Sequence, residues 1–294
     1  MITGIPNTEA LPVTEDPAML HPSQIARAAG INTHPVAIVW TDKKPEKALE
    51  FRPGTWGCVM WFFAKVATDG KTAVFSRDTT TCAGGCMGLG FGRPFDKHAS
   101  RSEEGFCSFL SNGIEGARDK KAYQEIIDRS FDGHHKKMLT EGERFLKNPS
   151  VVKKWLKNLP EYDAKDRYVV MKPVTQADPN EEIKSIVFVA NADRIAALST
   201  LANFVTGNVR NGIIVAAGAA GCQAMGVCTY AEGDSETPRA VVGLTDLSAR
   251  KAVRPTLGKD VLTFSVPFAL YQEMEENVKD SCLELDLWKE LRDT

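Results

Sequence analysis

The sequence predicts an α/β protein built from two similar α/β halves that are joined by a helical insertion. Short β-branched runs, such as 36–40 and 213–217, alternate with stretches that have helical apolar spacing. A charged stretch with a helical pattern separates the two sets. We therefore assign residues 1–118 to the first half, 119–160 to the insertion and 161–294 to the second half.

The first half begins with a strand at 36–40. A helix over 54–67 follows Pro53 and ends near the Asp-Gly turn at residues 69–70, and a second strand is predicted at 72–75. The next segment is rich in threonine and glycine and is too irregular for a long element. It carries Cys82 and Cys86.

The second half repeats this order, which indicates an internal duplication. A strand at 185–190 precedes a helix that ends near residue 205, and a strand at 213–217 leads into a glycine-rich loop with Cys222. Ordinary alternation of strands and helices is the alternative explanation. Because such alternation favours parallel pairing, and ligands bind beyond the carboxyl ends of parallel strands, we expect Cys82 and Cys222 at one edge of the sheet.

Charge and hydropathy restrict the partners. The 36 basic and 38 acidic residues give a net charge of −2 without a long run of one sign, which argues against nucleic acid and against an anionic membrane surface. The apolar stretch at 59–66 is far shorter than the roughly 20 residues of a membrane span. Residues 1–20 lack the basic and apolar regions of a signal peptide. We expect a cytoplasmic protein whose partner is a small anionic molecule or a redox protein, with its oligomeric state left open.

Seven cysteines are the most informative residues of the chain. An odd number in a reducing compartment argues against a disulfide framework. Cys58, Cys82, Cys107 and Cys222 lie in short segments rich in glycine and threonine, whereas a structural cysteine usually lies in an apolar run. A ligating thiolate needs a loop whose backbone can approach an inorganic centre closely, and glycine permits this.

Four such thiolates suit a [4Fe-4S] cluster. Structural zinc sites are usually built from two local Cys-x2–4-Cys pairs, and the scattered positions of these four cysteines favour a cluster instead. Two alternatives remain open: a structural zinc protein with four cysteine ligands, and a metal-free module whose cysteines are buried and inert. Cys86 and Cys228 are alternative ligands, while Cys282 is expected to play no part.

A second candidate site lies near residue 250. Arg250, Lys251 and Arg254 follow Asp246, which is predicted to cap a helix, and they place three cations over little more than one turn. This arrangement is typical of a site for a carboxylate or phosphate group. Cations on a solvated helix face are the simpler explanation.

Seven segments together resemble an uncharacterised bacterial and archaeal family, domain of unknown function 169, over residues 31–278. The resemblance implies single cysteines at the positions of Cys58, Cys82, Cys107 and Cys222, whereas Cys86 and Cys228 depart from the pattern. It implies no activity, and the cluster is our own inference. The segments are Arg52–Cys58, Gly70–Phe75, Cys82 with Gly88–Gly92, Gly105–Ser111, Gly142–Leu146, Gly221–Gln223 and Pro238–Asp246.

Overall fold

A computed structural model describes residues 22–95, 102–129 and 133–293, without the side chains of residues 134 and 135. The N-terminal residues on which the absence of a signal peptide was argued lie outside this description. Helices and one mixed sheet form the fold, which confirms the predicted α/β class. No helix in the described ranges is long and apolar enough to cross a membrane.

Within the described ranges, seven strands form one sheet in the order β2-β3-β1-β4-β7-β6-β5. Most of them come from apolar runs that the sequence predicts as strands. The strands are β1 (Val36–Thr41), β2 (Ala73–Ser76), β3 (Tyr168–Pro173), β4 (Glu182–Ala190), β5 (Ile213–Val215), β6 (Ala240–Gly243) and β7 (Leu262–Pro267).

The helices cover both faces of this sheet, and some of them form a further layer on one face. They are α1 (Gln24–Ala28), α2 (Val59–Asp69), α3 (Ala83–Leu89), α4 (Glu103–Leu110), α5 (Lys120–Arg129), α6 (Gly133–Glu141), α7 (Pro149–Asn158), α8 (Ala192–Ala202), α9 (Gly221–Gln223), α10 (Thr229–Gly233), α11 (Leu247–Leu257), α12 (Phe268–Asn277) and α13 (Asp286–Asp293).

The expectation of parallel pairing is wrong for all neighbouring strands of the described sheet except β5 and β6. The units β1-α2-β2 and β4-α8-β5 do link strands that run in the same direction. However, β3 lies between β1 and β2, and β7 and β6 lie between β4 and β5. Strands from distant segments are thus inserted into each crossover, and local alternation in the sequence does not reveal such an insertion.

The directions of the two edge strands overturn a further expectation. β2 and β5 are the edges of the sheet and run antiparallel to each other, so their carboxyl ends point in opposite directions. Cys82 and Cys222 therefore do not emerge at a common edge. The segments that carry them meet across one face of the sheet, where α3 packs against α9.

Two hydrophobic cores lie on opposite faces of the sheet. Along β1 the side chains alternate: Ala37 and Val39 join a core with α1, α8, α12 and α13, while Ile38 and Trp40 join a core with α2, α3 and α11. The second half of β4, residues 186–190, is buried on both faces, which explains its uninterrupted apolar sequence. We call the face covered by α2, α3 and α11 the site face.

The insertion is helical, as expected. Its described residues form α5, α6 and α7, and α7 packs against α4 and against Met87 of α3. The indole Nε1 of Trp155 on α7 donates a hydrogen bond of 3.2 Å to the carbonyl of Ala217, just before α9. Helices α4 and α7 therefore lie over the two segments that carry Cys82 and Cys222. The boundaries assigned to the two halves stay a prediction.

Candidate cysteine site

Cys58 and Cys82 occupy equivalent local positions, each immediately before a helix. Cys58 is the residue before α2 and Cys82 the residue before α3, and both have extended backbones. The Thr81 hydroxyl donates a hydrogen bond of 2.8 Å to the carbonyl of Thr55, which ties the two loops together. Burial raises the pKa of each thiol, and backbone amides at the start of the following helix partly offset this: those of Met60 and Trp61 for Cys58, and those of Gly84 and Gly85 for Cys82.

Gly84 brings Cys82 and Cys222 together. The Cys222 thiol donates a hydrogen bond of 3.6 Å to the carbonyl of Gly84. The Cys82 sulfur lies 3.9 Å from the place that a Cβ atom would occupy on Gly84. The two thiols therefore lie on either side of one glycine, although 140 positions separate them in the sequence.

A second glycine of α3 lets its backbone touch the segment after residue 220. A Cβ atom on Gly88 would lie 2.8 Å from the carbonyl carbon of Cys222 and 2.9 Å from the backbone nitrogen of Gln223. Gly226 packs against the same turn of α3, where its Cβ would meet the carbonyl oxygen of Gly88. Only residues without a Cβ allow this approach, and the glycines that look like turn residues in the sequence are packing residues of a buried helix.

The three thiols share one electrostatic environment. Burial raises the pKa of Cys58 to about 12, and the charge of Cys82 raises it further. Burial also raises the pKa of Cys82 and that of Cys222, and the latter is raised further by Cys82 and Cys58. Cys58, Cys82 and Cys222 thus form a mutually interacting group, which we call the thiol trio.

A buried carboxyl group belongs to the same region. Asp246 is 2% exposed and caps α11, as the sequence predicts, by accepting a hydrogen bond of 2.9 Å from the Ala249 amide. Its other oxygen accepts one of 2.7 Å from the Gly221 amide beside Cys222. Burial raises the pKa of Asp246, and its charge raises the pKa of all three thiols in the trio.

Glu143 adds a second carboxyl group that the sequence analysis does not single out. It follows α6, and burial raises its pKa to about 7, against the lowering effect of a hydrogen bond with Ser248. Its charge raises the pKa of Cys82. Glu143 belongs to no recognised spacing pattern, and the sole sequence signal for it is that residues 142–146 contribute to the family resemblance.

Among the described residues, no cationic side chain neutralises these five acidic groups. Burial is the first cause of every raised pKa, and within the described ranges no lysine or arginine contributes to any of the five values. Three or more His, Cys, Asp or Glu side chains close enough to hold a single metal ion are also absent from the described part of the chain. The region is therefore acidic and largely shielded from water.

Cys107 lies apart from the thiol trio. It is buried on α4 among apolar residues such as Val152 and Leu156 of α7. Burial raises its pKa to about 11, with smaller effects from Glu103 and Lys153, and none of the other cysteines contributes. The structure thus brings together three of the four predicted ligands and places the fourth in the contact between two helices.

The other cysteines are also outside the trio. The Cys86 thiol packs in the core of the site face, 4.0 Å from the carbonyl of Phe91. Cys228 is close to Glu232, and burial raises its pKa to about 12. Burial also raises the pKa of Cys282, which lies near the C-terminal helix.

The predicted anion site has a pocket but loses one of its cations. A surface pocket of about 580 Å³ is lined by Arg250, Lys251 and Arg254, together with apolar residues. The Arg250 guanidinium donates hydrogen bonds to backbone carbonyls of Leu244, Lys259 and Val261, so it braces the ends of α11. This leaves Lys251 and Arg254 as the candidates to contact an anion.

The fold and this geometry define a class: a mixed α/β protein with a trio of buried and partly buried thiols between its sheet and a layer of helices. A family model covers residues 24–277, and it is domain of unknown function 169, described as an uncharacterised ArCR family. The chain therefore belongs to this family, as its resemblance implies. No curated protein and no solved structure matches the chain.

Proposed function

We propose that this protein binds a [4Fe-4S] cluster and that Cys58, Cys82 and Cys222 supply thiolate ligands to it. The observation that carries the proposal is the convergence of three thiols and two carboxyl groups, all buried or partly buried, without a neutralising lysine or arginine in the described ranges. Buried acidic groups in such a number need a cationic partner if they are to ionise. A positively charged metal centre is the complementary occupant.

The raised pKa values support this interpretation. They describe a site without metal, in which burial keeps each thiol protonated. A bound metal reverses the balance, because a coordinating thiol is deprotonated outright. The thiol trio is therefore inert as a nucleophile and suitable as a ligand set, which favours metal binding over thiol chemistry.

The scattered sequence positions of the ligands favour a cluster over zinc, because structural zinc sites are usually built from two local Cys-x2–4-Cys pairs. A tetrahedral zinc with Zn–S bonds near 2.3 Å draws its sulfur atoms to within about 3.8 Å of one another. In a cubane cluster each thiolate binds a different iron atom, so the thiols lie further apart. Four-cysteine zinc binding remains the alternative that metal analysis tests.

The chain itself holds the ligands and excludes water. The trio lies on segments fixed by glycine contacts of α3 and by the hydrogen bonds of Asp246, and apolar residues of α2 such as Met60 and Phe63 lie beneath it. A bound cluster supplies one-electron transfer or Lewis-acid activation of a small anion. We expect this activity in the cytoplasm, with a redox protein or a small anionic molecule as partner.

Metal analysis of protein purified without oxygen tests the proposal. Iron, acid-labile sulfide and zinc are measured per chain without reconstitution, together with the absorption spectrum. We expect about four irons with matching sulfide, and a brown colour. Folded, colourless protein without iron would overturn the proposal, and one zinc per chain would establish the structural zinc alternative.

The pocket beside α11 supports a second candidate, a metal-free module that binds a carboxylate or phosphate through Lys251 and Arg254. Calorimetric titration of the protein with inorganic phosphate and with citrate tests it. Binding that disappears in Lys251→Ala and Arg254→Ala, in protein shown to lack iron, would favour this candidate. If neither phosphate nor citrate bound at millimolar concentration, this second candidate would be excluded.

A further inference from the structure

The pocket beside α11 has a floor that the fold itself holds in place. Leu244 after β6, Val253 on α11 and Val261 before β7 line it, and all three pack in or against the core of the site face. The Arg250 guanidinium donates hydrogen bonds of 3.3 Å and 3.0 Å to the carbonyls of Leu244 and Val261. These bonds join the segments that border the pocket, so its shape is formed before any ligand binds.

The backbone at one end of this floor is strained. Leu244 has φ 62°, which lies in the left-handed region that a residue with a side chain seldom adopts. Leucine has no short polar side chain that could stabilise this conformation by a local hydrogen bond. It persists because the surroundings impose it, and such positions are common at sites that hold ligands.

The rim of the pocket exposes apolar side chains. Leu247 lines the pocket on the first turn of α11 and is 67% exposed, and Pro255, which is also exposed, lines it one element turn beyond Lys251. Single exposed apolar residues are common on protein surfaces, but these two border one concave surface that has an apolar floor. An apolar group in the pocket would cover both of them.

Two cations of the pocket have no acidic partner. Residues 247–259 contain no aspartate or glutamate. In the part of the chain that the structure describes, neither Lys251 nor Arg254 forms an ion pair with a carboxylate. They are three positions apart on α11 and therefore lie on the same face of the helix. Together they can contact one carboxylate or phosphate group.

The size and lining of the pocket decide between kinds of ligand. A volume of about 580 Å³ and a mainly apolar lining with a few charged groups are typical of small-molecule sites. A small inorganic anion would use the cations and leave the apolar floor uncovered. A neutral apolar molecule would cover the floor and leave the cations unused.

We propose that this pocket binds an anion with an alkyl chain of medium length, either a carboxylate or a phosphate ester. The anionic head contacts Lys251 and Arg254, and the chain lies against Leu244, Leu247 and Val261. This inference rests on the second proposed function, in which the same two cations receive an anion. It requires no cluster.

Calorimetric titration of the full-length protein with a set of matched ligands tests the inference. Acetate and inorganic phosphate supply the head alone, octanol supplies the chain alone, and hexanoate and octanoate differ only in chain length. We expect octanoate to bind at least tenfold more tightly than acetate and than octanol, and each buried methylene to strengthen binding roughly fourfold. Octyl phosphate completes the set: its affinity relative to octanoate identifies which head the site prefers.

Substitutions at exposed positions separate the two parts of the site without disturbing the core. Lys251→Ala and Arg254→Ala should each weaken octanoate binding several-fold and leave octanol binding unchanged, whereas Lys279→Ala, which removes an exposed cation after α12, should have no effect. Leu247→Ser should reduce the advantage of octanoate over acetate. Leu287→Ser is its control, because Leu287 is 75% exposed on α13.

Three results would overturn the inference. Equal affinity for acetate, hexanoate and octanoate would show that the chain does not bind, and it would leave the module for small anions intact. Equal affinity for octanol and octanoate, unchanged by the substitutions at residues 251 and 254, would show an apolar site without an anion. If none of the ligands bound at millimolar concentration, both this inference and the second proposed function would be excluded, while iron analysis would still decide the cluster separately.

Discussion

Each thiol of the trio is held by a different segment, so each can be tested by itself. Replacing Cys58, Cys82 or Cys222 with serine should lower the iron retained after gel filtration several-fold, because a hydroxyl is a much poorer ligand for iron than a thiolate. Cys282→Ser is the matched control and should retain all of its iron. Full retention in any one of the three variants would remove that residue from the ligand set.

The protonation of Glu143 makes a prediction about the metal-free protein. Its pKa is raised from 4.5 to about 7, so between these values the folded chain holds a proton that the unfolded chain has lost. The free energy of unfolding should therefore fall as the pH rises through this range. Glu143→Gln, which does not titrate, should flatten this fall in urea denaturation between pH 5 and pH 8.

Glu141→Gln is the control for that experiment, because Glu141 is exposed on the last turn of α6. Its pH dependence should match that of the unchanged protein. An equal flattening in both variants would show that overall charge, and not the burial of Glu143, determines the effect.

Individual site residues were predictable only where a loop has a recognisable composition. Cys58, Cys82 and Cys222 stand beside glycine or threonine, and this setting selected them as ligands, a role that stays a prediction, while the structure shows that they interact with one another. The same argument also selected Cys107, because glycine two positions earlier does not reveal that the thiol faces another helix. Glu143 was not predicted as a site residue, because its burial arises from tertiary packing alone.

Helix α3 packs through close backbone contacts at its glycines and not through large side chains. Gly88→Ala should destabilise the protein by about 1–3 kcal/mol, because the added methyl group would lie 2.8 Å from the carbonyl carbon of Cys222, on backbone that cannot easily move. It should also lower the iron content, since the shift separates Cys82 from Cys222. Urea denaturation and iron analysis of the same preparations measure both effects.

Gly133→Ala provides the comparison, because Gly133 is exposed at the start of α6 and an added Cβ would have no atom within 4 Å. Its stability should stay within about 0.5 kcal/mol of the unchanged protein. If Gly88→Ala were equally neutral, the backbone contact between α3 and the segment at residue 222 would not be a constraint on the fold.

Most helices and strands were predictable because they follow local patterns. The run at 185–190 is β4, and Asp246 caps α11 as expected. The short helix over 83–89 was not recognised, since three of its seven residues are glycine and glycine is a poor helix former. Tertiary contact overrides that low propensity, and no local sequence signal records such contact.

A substitution on the face of the sheet opposite the site should lower the stability of the protein without changing its metal binding. Trp288 on α13 is 7% exposed on the face opposite the site, and its indole donates a hydrogen bond of 2.9 Å to the carbonyl of Ala28. Trp288→Ala should reduce the free energy of unfolding by about 3–5 kcal/mol. Iron per folded chain should nevertheless remain unchanged, as measured on the monodisperse fraction.

Leu287→Ala is its neighbour control, since Leu287 is 75% exposed. We expect a change within about 0.5 kcal/mol. Loss of iron from folded Trp288→Ala protein would mean that the core on the far face determines the geometry of the thiol trio.

The fold class could be derived from alternation, but the sheet topology could not. Both crossover units, β1-α2-β2 and β4-α8-β5, do connect strands of equal direction. What the sequence conceals is that β3 and the pair of β6 and β7 fill the gaps within these units. Pairing of distant segments depends on long-range packing, and a local pattern carries no information about it.

The three thiols come together from opposite edges of the sheet. This also limits when a cofactor could bind during synthesis of the chain. A nascent chain that has just passed residue 82 holds two of the three thiols, and the third is supplied only after Cys222 and the closing strand β7 have been made. Contacts of such long sequence separation form late in folding. If the proposed cluster is bound by this trio, its insertion requires a nearly completed fold, and an assembly machinery would have to recognise that fold rather than an emerging cysteine motif.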